Sequence, residues 1–445
     1  MGYYINFLLK KKIRDRRTIF LILIVTVIFI QNISIQDIQF LNSVKDEYDD
    51  AFGIKEIGEM FIQNSYPNEG EYREDNYRTG EYIVALGEKM EKALDNNDYK
   101  EYNRLKCIYY LVLAKEVAMD LRYMERTDFY LNKVEELFNK VRKDEIFDDF
   151  VNDPVREPYE NAAHFFTWYL SGNEYYELYN SGHRRIDSKY MNNSTALLLY
   201  FDKLIPIAGL IISILLVFDS INGDIKSGAI KSILTSNMSR NKYIIYNIIA
   251  STIYVIIILL IPAILISLML GIFHKDGFEY FNYPTLYLKN GMSRLDTIPN
   301  YLDYSESPPF KAGLRKYNNP SSGYEMVEVS ELVFMPLYIV LLLSFFLTFL
   351  QILFYICLVT IISSFIENKI LSLSISVGTI IGFTYVSKGL TKGNSLNISP
   401  FTQNDVLRVL DGTYCSTGLI ATIVLVISII VLISANIIFF KRKAL

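Results

Sequence analysis

Charged and small residues alternate with apolar ones between residues 218 and 243, in a polar stretch that separates two long apolar segments. Asp224 precedes Gly228 by four positions, so on a helix the carboxylate and the glycine would share one face. Lys226 and Lys231 flank apolar side chains at helical spacing. The pattern is typical of a docking element, or of an amphipathic helix whose lysines meet anionic lipid headgroups.

Residues suited to enzyme chemistry are scarce in the rest of the sequence. His164, His183 and His274 show no metal-ligand spacing, and the three cysteines offer no disulfide framework. No Gly-x-Ser-x-Gly motif lies near the histidines. The phosphate-binding pattern Gly-x-x-x-x-Gly-Lys-Ser/Thr does not occur either. We therefore predict no catalytic residue, cofactor or metal site on this chain, and no nucleic acid among its partners.

The composition indicates a membrane protein. Hydrophobic residues make up 51% of the chain, the mean hydropathy is +0.21, and several apolar runs exceed the roughly 18 residues of a transmembrane candidate. Charge is unevenly distributed, because residues 37–196 carry 33 acidic and 20 basic side chains, a net of −13, within a total of −4. This asymmetry indicates an acidic domain on one side of the membrane and basic connectors on the other.

Six apolar runs predict an all-α polytopic membrane protein with six transmembrane helices and both termini in the cytoplasm. A cationic N-terminus before the first run orients the chain by the positive-inside rule. A secretory signal peptide is the competing interpretation of that run, but no small-x-small cleavage site follows it. The predicted spans are residues 18–36, 197–218, 243–273, 332–362, 370–387 and 417–440. The predicted cytoplasmic segments are 1–17, 219–242, 363–369 and 441–445, and the external ones are 37–196, 274–331 and 388–416.

The segment 37–196 is predicted to form a mostly helical extracytoplasmic domain. Apolar residues recur at helical spacing in three places, namely Ile83, Leu86, Met90 and Leu94; Ile108, Leu111 and Val112; and Leu131, Val134, Leu137, Phe138 and Val141. The external connector 274–331 is expected to be irregular. In the second external connector, the residues after Ser399-Pro400-Phe401 are expected to form a short helix.

The connector resembles the one between spans two and three of ABC-2 type permeases, the membrane subunits of type V ABC exporters. The likeness lies in Asp-x-x-x-Gly-x-Ile-Lys, then a Leu-Thr-Ser segment, then Ser-Arg before an apolar helix. The sequence departs from the family pattern in having Asp224 for Glu, Ala229 for Thr, Asn237 for Pro and Asn247 for a frequent Lys. The large segment between spans one and two and the Ser-Pro-Phe before the last span resemble the same family in outline.

The resemblance implies that the connector is a coupling helix seated in a groove of a separate ABC ATPase subunit, which would hold ATP and Mg. It also implies a second permease chain, as a homodimer or a heterodimer, in the bacterial plasma membrane and in contact with membrane lipid. The residues that it assigns to ATPase coupling are Asp224, Lys226, Gly228, Ile230, Lys231, Ile233, Leu234, Ser239, Arg240 and, in the second cytoplasmic turn, Glu367.

The function expected from this resemblance is that of an exporter permease that moves a peptide, an antibiotic or another amphipathic cargo outward. A membrane receptor or sensor with an external ligand-binding domain and a cytoplasmic signalling partner is the alternative. A membrane-bound enzyme is the weakest of the three classes, since nothing in the sequence supplies its chemistry.

Overall fold

The computed structural model describes residues 2–13, 16–35, 45–65, 74–120, 127–142, 163–185, 192–231, 239–273, 278–288, 332–390, 398–410 and 418–442. Most of these residues are helical. Two helices come first, α1 (Gly2–Ile13) and α2 (Arg16–Ile35). The predicted basic N-terminus is thus a helix, and it packs against a later membrane helix.

A helical unit follows, as the apolar periodicity predicts. It consists of α3 (Lys45–Gln63), α4 (Glu74–Asp95), α5 (Tyr99–Asp120), α6 (Thr127–Val141) and α7 (Ala163–Ser181). α3 packs on α4, and α5 packs on α7. The predicted apolar residues form its core, since Ile83, Met90, Ile108, Leu111 and Val134 have no exposed surface. The predicted helical character of this segment is confirmed in its described residues, whereas its external location stays a prediction.

Two glycines let the backbones of α3 and α4 touch. A Cβ built on Gly58 would lie 2.8 Å from the carbonyl oxygen of Gly80, and one built on Gly80 would lie 2.7 Å from that of Gly58. Such contacts are closer than real Cβ atoms allow, and backbone cannot move aside as a flexible side chain can.

We expect Gly58→Ala to destabilise the helical unit by about 1–3 kcal/mol, because the added methyl group overpacks the α3–α4 contact. Gly53→Ala is the matched control in the same helix, since nothing lies within 4 Å of its Cβ position. That control should stabilise α3 by about 0.5–1 kcal/mol. Thermal unfolding of the full chain in detergent measures both, and equal shifts in the two variants would contradict the close contact.

The membrane helices come after the helical unit. α8 (Asn193–Leu199) and α9 (Ile205–Val217) are joined by a π-helical turn, Tyr200–Leu204, and are followed by α10 (Ser220–Lys226). Then come α11 (Arg240–Phe273), α12 (Leu337–Phe365), α13 (Lys369–Leu390), the short α14 (Val406–Leu410) and α15 (Gly418–Arg442).

Among the described residues, five helices are long and apolar enough to cross a membrane by length and composition. They are Asn193–Lys226, Arg240–Ile272, Leu337–Phe365, Lys369–Ser387 and Gly418–Lys441. The first predicted span corresponds to a shorter apolar helix, Thr18–Gln31. A helical, multi-pass membrane protein is therefore confirmed, while the six-span topology stays a prediction.

The second membrane helix starts four residues before the predicted boundary at 197. A capping box sets this start, because Asn192 Oδ1 accepts the backbone N–H groups of Ser194 and Thr195 while the Thr195 hydroxyl accepts the N–H of Asn192. This exchange satisfies donors that a helix otherwise leaves unpaired at its N-terminus.

A two-stranded antiparallel ribbon corrects the all-α prediction. β1 (Pro284–Leu288) pairs with β2 (Leu332–Pro336), and Thr285 lies opposite Met335. The fourth span was predicted to begin at 332, but those residues form β2, and α12 begins only after Pro336. Proline lacks the N–H that a helix interior needs, so the strand ends and the helix begins there.

His183, just after α7, connects the helical unit to the ribbon. Its ring stacks on Tyr280 at 5.5 Å, and the backbone carbonyl of Tyr283 accepts the N–H of Leu337, the first residue of α12, at 2.8 Å. Burial lowers the pKa of His183 below its usual 6.5, and Glu279 opposes that shift in part.

We expect this contact to weaken as the pH falls below about 6.5. The pKa of His183 is lower in the folded chain than in the unfolded chain, so the unfolded chain binds the proton first. The free energy of unfolding therefore decreases as the pH falls from the unfolded-state pKa to the folded-state pKa. Thermal unfolding between pH 7.5 and 5.5, compared with His183→Phe, isolates this contribution, because phenylalanine keeps the stacking without a titrating group. An identical pH dependence in both proteins would contradict the prediction.

In the segment 398–410, most residues from Thr402 to Leu410 are buried among the membrane helices, whereas Ile398 at its start is 69% exposed. The short helix predicted after Phe401 is confirmed as α14. Gln351, at the midpoint of α12, donates from Nε2 to the carbonyl of Pro400 at 3.1 Å, and Asn404 donates to the carbonyl of Pro206 in α9 at 3.2 Å. A segment predicted to be an external loop therefore reaches between α9 and α12.

Candidate functional site: the connectors

The first connector turns sharply between α9 and α11. α10 ends at Lys226, and Gly228 then adopts a φ of 70°, in the left-handed region that favours glycine. Its N–H donates to the carbonyl of Ile225 at 3.1 Å, which closes the last turn. The prediction that Asp224 and Gly228 share one helical face is therefore wrong, because the helix ends between them.

A buried amide ties the first connector to the second one. Asn222 is 2% exposed, and its Nδ2 donates to the backbone carbonyl of Ile366, between α12 and α13. Beside it, Lys369 Nζ and Asp219 Oδ2 form an ion pair at 3.0 Å. The two connectors, which lie more than a hundred residues apart in sequence, thus form one surface.

Asp224 ties the same surface to the ends of two membrane helices. Its Oδ2 accepts a hydrogen bond from the hydroxyl of Tyr243 in α11 at 2.8 Å. The buried ring of Tyr243 stacks on Phe440 of α15, with centroids 5.7 Å apart. Arg240 Nη1 donates to the carbonyl of Lys441 at 3.2 Å. A displacement of α10 would therefore move α11 through the Asp224–Tyr243 bond, and α15 through the contact of Tyr243 with Phe440.

The predicted coupling residues divide into three groups by location. Lys226, Gly228, Lys231, Ser239 and Glu367 are exposed, and we call them the connector surface. Asp224 and Arg240 are half-buried in the contacts just described. Ile230 is 2% exposed and packs inside the chain's own core, so it is not available for docking. Ile233 and Leu234 lie outside the described residues.

The sequence did not single out Asn222, Tyr243 or Lys369. Asn222 was one polar residue in a polar stretch, and its partner Ile366 is remote in sequence. Tyr243 was the first residue of a predicted span, with no local sign that its hydroxyl would meet Asp224 nineteen positions earlier. Only a search for polar residues at both ends of the connector would have indicated this pair.

The N-terminal helix meets α11 well inside its length. Lys12 Nζ donates to the hydroxyl of Ser251 at 2.6 Å, and the hydroxyls of Thr18 and Tyr254 share a hydrogen bond of 2.6 Å. Ser251 in turn donates to Asn247 Oδ1 at 3.3 Å. Polar residues of the third predicted span thus serve helix packing at this point.

No group of three or more His, Cys, Asp or Glu that could hold a metal ion occurs in the part of the chain that the structure describes. The site built by the connectors is one of exposed cations and one carboxylate, held by hydrogen bonds to the membrane helices and between the connectors. Such an arrangement is suited to binding another protein surface.

Comparison with protein families decides the identity of the chain. Residues 9–444 match the sequence model of the ABC-2 family transporter protein. The chain belongs to this family. It is an ABC-2 type permease, the membrane component of an ABC transporter, as the connector motif predicted. No curated protein and no solved structure matches it.

Membership of the ABC-2 family implies that this permease works with an ATPase partner, and permeases of this family lack an ATPase of their own. The match spans the connector and the membrane helices alike.

Proposed function

We propose that this permease is the membrane subunit of an ATP-driven exporter, and that a separate ATPase docks on the connector surface. The observation that carries the proposal is the joining of both connectors, through Asn222 and Asp219, into one surface bonded to the ends of α11 and α15. ATP and Mg would be held by the partner, and two permease chains would enclose the pathway.

Direct hydrogen bonds link the connectors to the membrane helices, so a force applied to the connector surface would be transmitted to these helices. The Ser372 hydroxyl in α13 donates to the carbonyl of Phe218 at 2.9 Å, and Asn222 holds the end of α12. Together with the Asp224–Tyr243 bond, these contacts join the residues from Phe218 to Asp224 to three membrane helices, α11, α12 and α13. Closure of two ATPase subunits would therefore move the helices as rigid bodies rather than deform one loop.

The packing of the connector favours protein docking over lipid binding. Ile221, Ile225 and Ile230 pack against the chain's own core, so the described residues of the connector do not offer the exposed apolar face with which an amphipathic helix lies on a membrane. Lys226 and Lys231 are exposed and are available to a protein surface.

The cargo proposed is a peptide, an antibiotic or another amphipathic molecule, moved outward. The acidic balance of residues 37–196, a net of −13, would concentrate cationic amphipathic molecules near an external domain. A receptor or sensor function is the second candidate, because a docking surface and an acidic domain would serve signalling as well.

Co-purification of the tagged full-length chain from native membranes in mild detergent, with mass spectrometry, tests the proposal. We expect a near-stoichiometric ATPase with a phosphate-binding loop, and its loss when Lys226 and Lys231 are both replaced by glutamate. Lys10→Glu is the matched control, since Lys10 is also exposed but belongs to α1 and to neither connector. Signalling proteins without any ATPase would overturn the proposal in favour of the sensor.

A further inference from the structure

A small cavity lies where α9, α12 and residues 404–406 meet. It has room for about one water molecule. Thr348, Gln351, Tyr355 and Asn404 line it, and each is more than nine-tenths buried. In the described part of the chain, Thr348 Oγ1, Gln351 Oε1 and Asn404 Oδ1 have no hydrogen-bond partner, and the Tyr355 hydroxyl lies beside the Gln351 side chain.

The orientation of the two amides follows from their other bonds. Gln351 Nε2 donates to the carbonyl of Pro400, and Asn404 Nδ2 donates to the carbonyl of Pro206. A carbonyl only accepts hydrogen bonds, so each amide must direct its NH₂ group at its carbonyl and leave its oxygen unbonded. The two amide oxygens therefore accept no bond within the described part of the chain, and a ligand that bonds to them must donate hydrogens.

We propose that one water molecule occupies this cavity and donates its two hydrogens to Gln351 Oε1 and Asn404 Oδ1. The hydroxyls of Thr348 and Tyr355 are placed to donate to it. A buried water needs two to four polar partners and about this much room. Burying the two amide oxygens without a partner would otherwise cost stability at each of them.

A cation fits the cavity less well than water. All the residues that line it are uncharged, and an ion taken from water into such surroundings without a counter-charge pays a large desolvation penalty. A neutral donor avoids that penalty. The water then joins α12 to the 398–410 segment, which Asn404 also ties to α9, and so fixes the segment between the two helices.

Hydroxyl-radical labelling by X-ray radiolysis in H₂¹⁸O, applied to the full chain in nanodiscs, tests the proposal without any variant. A bound water generates radicals beside it, so we expect Tyr355 to take up ¹⁸O severalfold faster than Tyr200. Tyr200 is the internal control, because it is equally buried in a membrane helix and its hydroxyl is bonded to the carbonyl of Leu259. Equal labelling of the two tyrosines would overturn the proposal.

Thr348→Val provides a second, independent measurement. If the cavity is empty, removing an unpartnered hydroxyl is neutral or stabilising; if water is bound, a hydrogen bond is lost, and we expect the Tm to fall by about 2 °C. Thr252→Val is the control, since that hydroxyl bonds only within its own helix, to the carbonyl of Ile248. If the Tm rose with NaCl but not with choline chloride, the cavity would bind a sodium ion instead of water, and the proposal would be overturned.

Discussion

Cargo-stimulated ATP hydrolysis by the assembled transporter is expected to fall about 10- to 100-fold when Asp224 is replaced by lysine. The substitution removes the hydrogen bond from Tyr243 to the carboxylate, and bonds to charged groups contribute about 1.5–3 kcal/mol. Since about 1.4 kcal/mol corresponds to a tenfold change in an equilibrium, the connector would lose its docked position in most molecules. The chain should still fold and insert, because the bond lies at the end of the bundle.

Two further variants separate the effect of losing the Asp224–Tyr243 hydrogen bond from the effect of changing the charge of the connector. Tyr243→Phe breaks the same hydrogen bond and leaves the connector surface unchanged, so we expect a similar loss of coupling. Ser227→Ala should behave as wild type, because Ser227 is exposed and its 3.4 Å hydrogen bond to the backbone carbonyl of Asp224 does not involve the carboxylate. ATPase activity that stayed unchanged in Asp224→Lys would refute the coupling role, and a loss in Asp224→Lys but not in Tyr243→Phe would assign the effect to surface charge.

The helical unit α3–α7 is expected to lose about 3–5 kcal/mol of stability in Arg184→Met, the typical cost of breaking a buried ion pair. Arg184 Nε donates to both oxygens of Glu47, at 2.9 and 3.0 Å, and the two side chains are only 15% and 11% exposed. Burial already raises the pKa of Glu47, and Arg184 is the main group that opposes this. Without the arginine, an uncompensated carboxylate would remain buried.

Hydrogen exchange of α3 and α7 in the full chain measures this loss locally. The matched control is Lys140→Met, since the Lys140–Glu136 pair is exposed at 46% and 60% and such pairs contribute about 0.3–0.5 kcal/mol. Acidification should partly restore Arg184→Met, because a carboxyl group with a raised pKa becomes neutral in the folded state first. Equal protection in the two variants would show that the buried pair contributes nothing.

Much of the fold and the outline of the site could be predicted from local patterns. The core residues Ile83, Met90 and Val134 were identified by helical spacing, and α14 was expected in the residues after Phe401. The ribbon was missed because 43 residues separate the end of β1 from the start of β2. A strand is recognised by the partner it pairs with, and here that partner lies far away in the sequence. The early start of α8 was missed because its capping box precedes the apolar run.

The sequence by itself determined that this chain is a helical membrane protein of the ABC-2 family, since hydropathy, charge asymmetry and the connector motif are properties of neighbouring residues. Only the tertiary structure decided which connector residues face outward and which are bound inside. Asp224 and Ile230 are turned toward the bundle by Tyr243 and the core, while Lys226 and Lys231 stay exposed. Helical periodicity determines which side chains share a face, but the burial of that face depends on what packs against it. Here the partners are distant in sequence: Tyr243 bonds to Asp224, Ile366 bonds to Asn222, and Phe440 stacks on Tyr243.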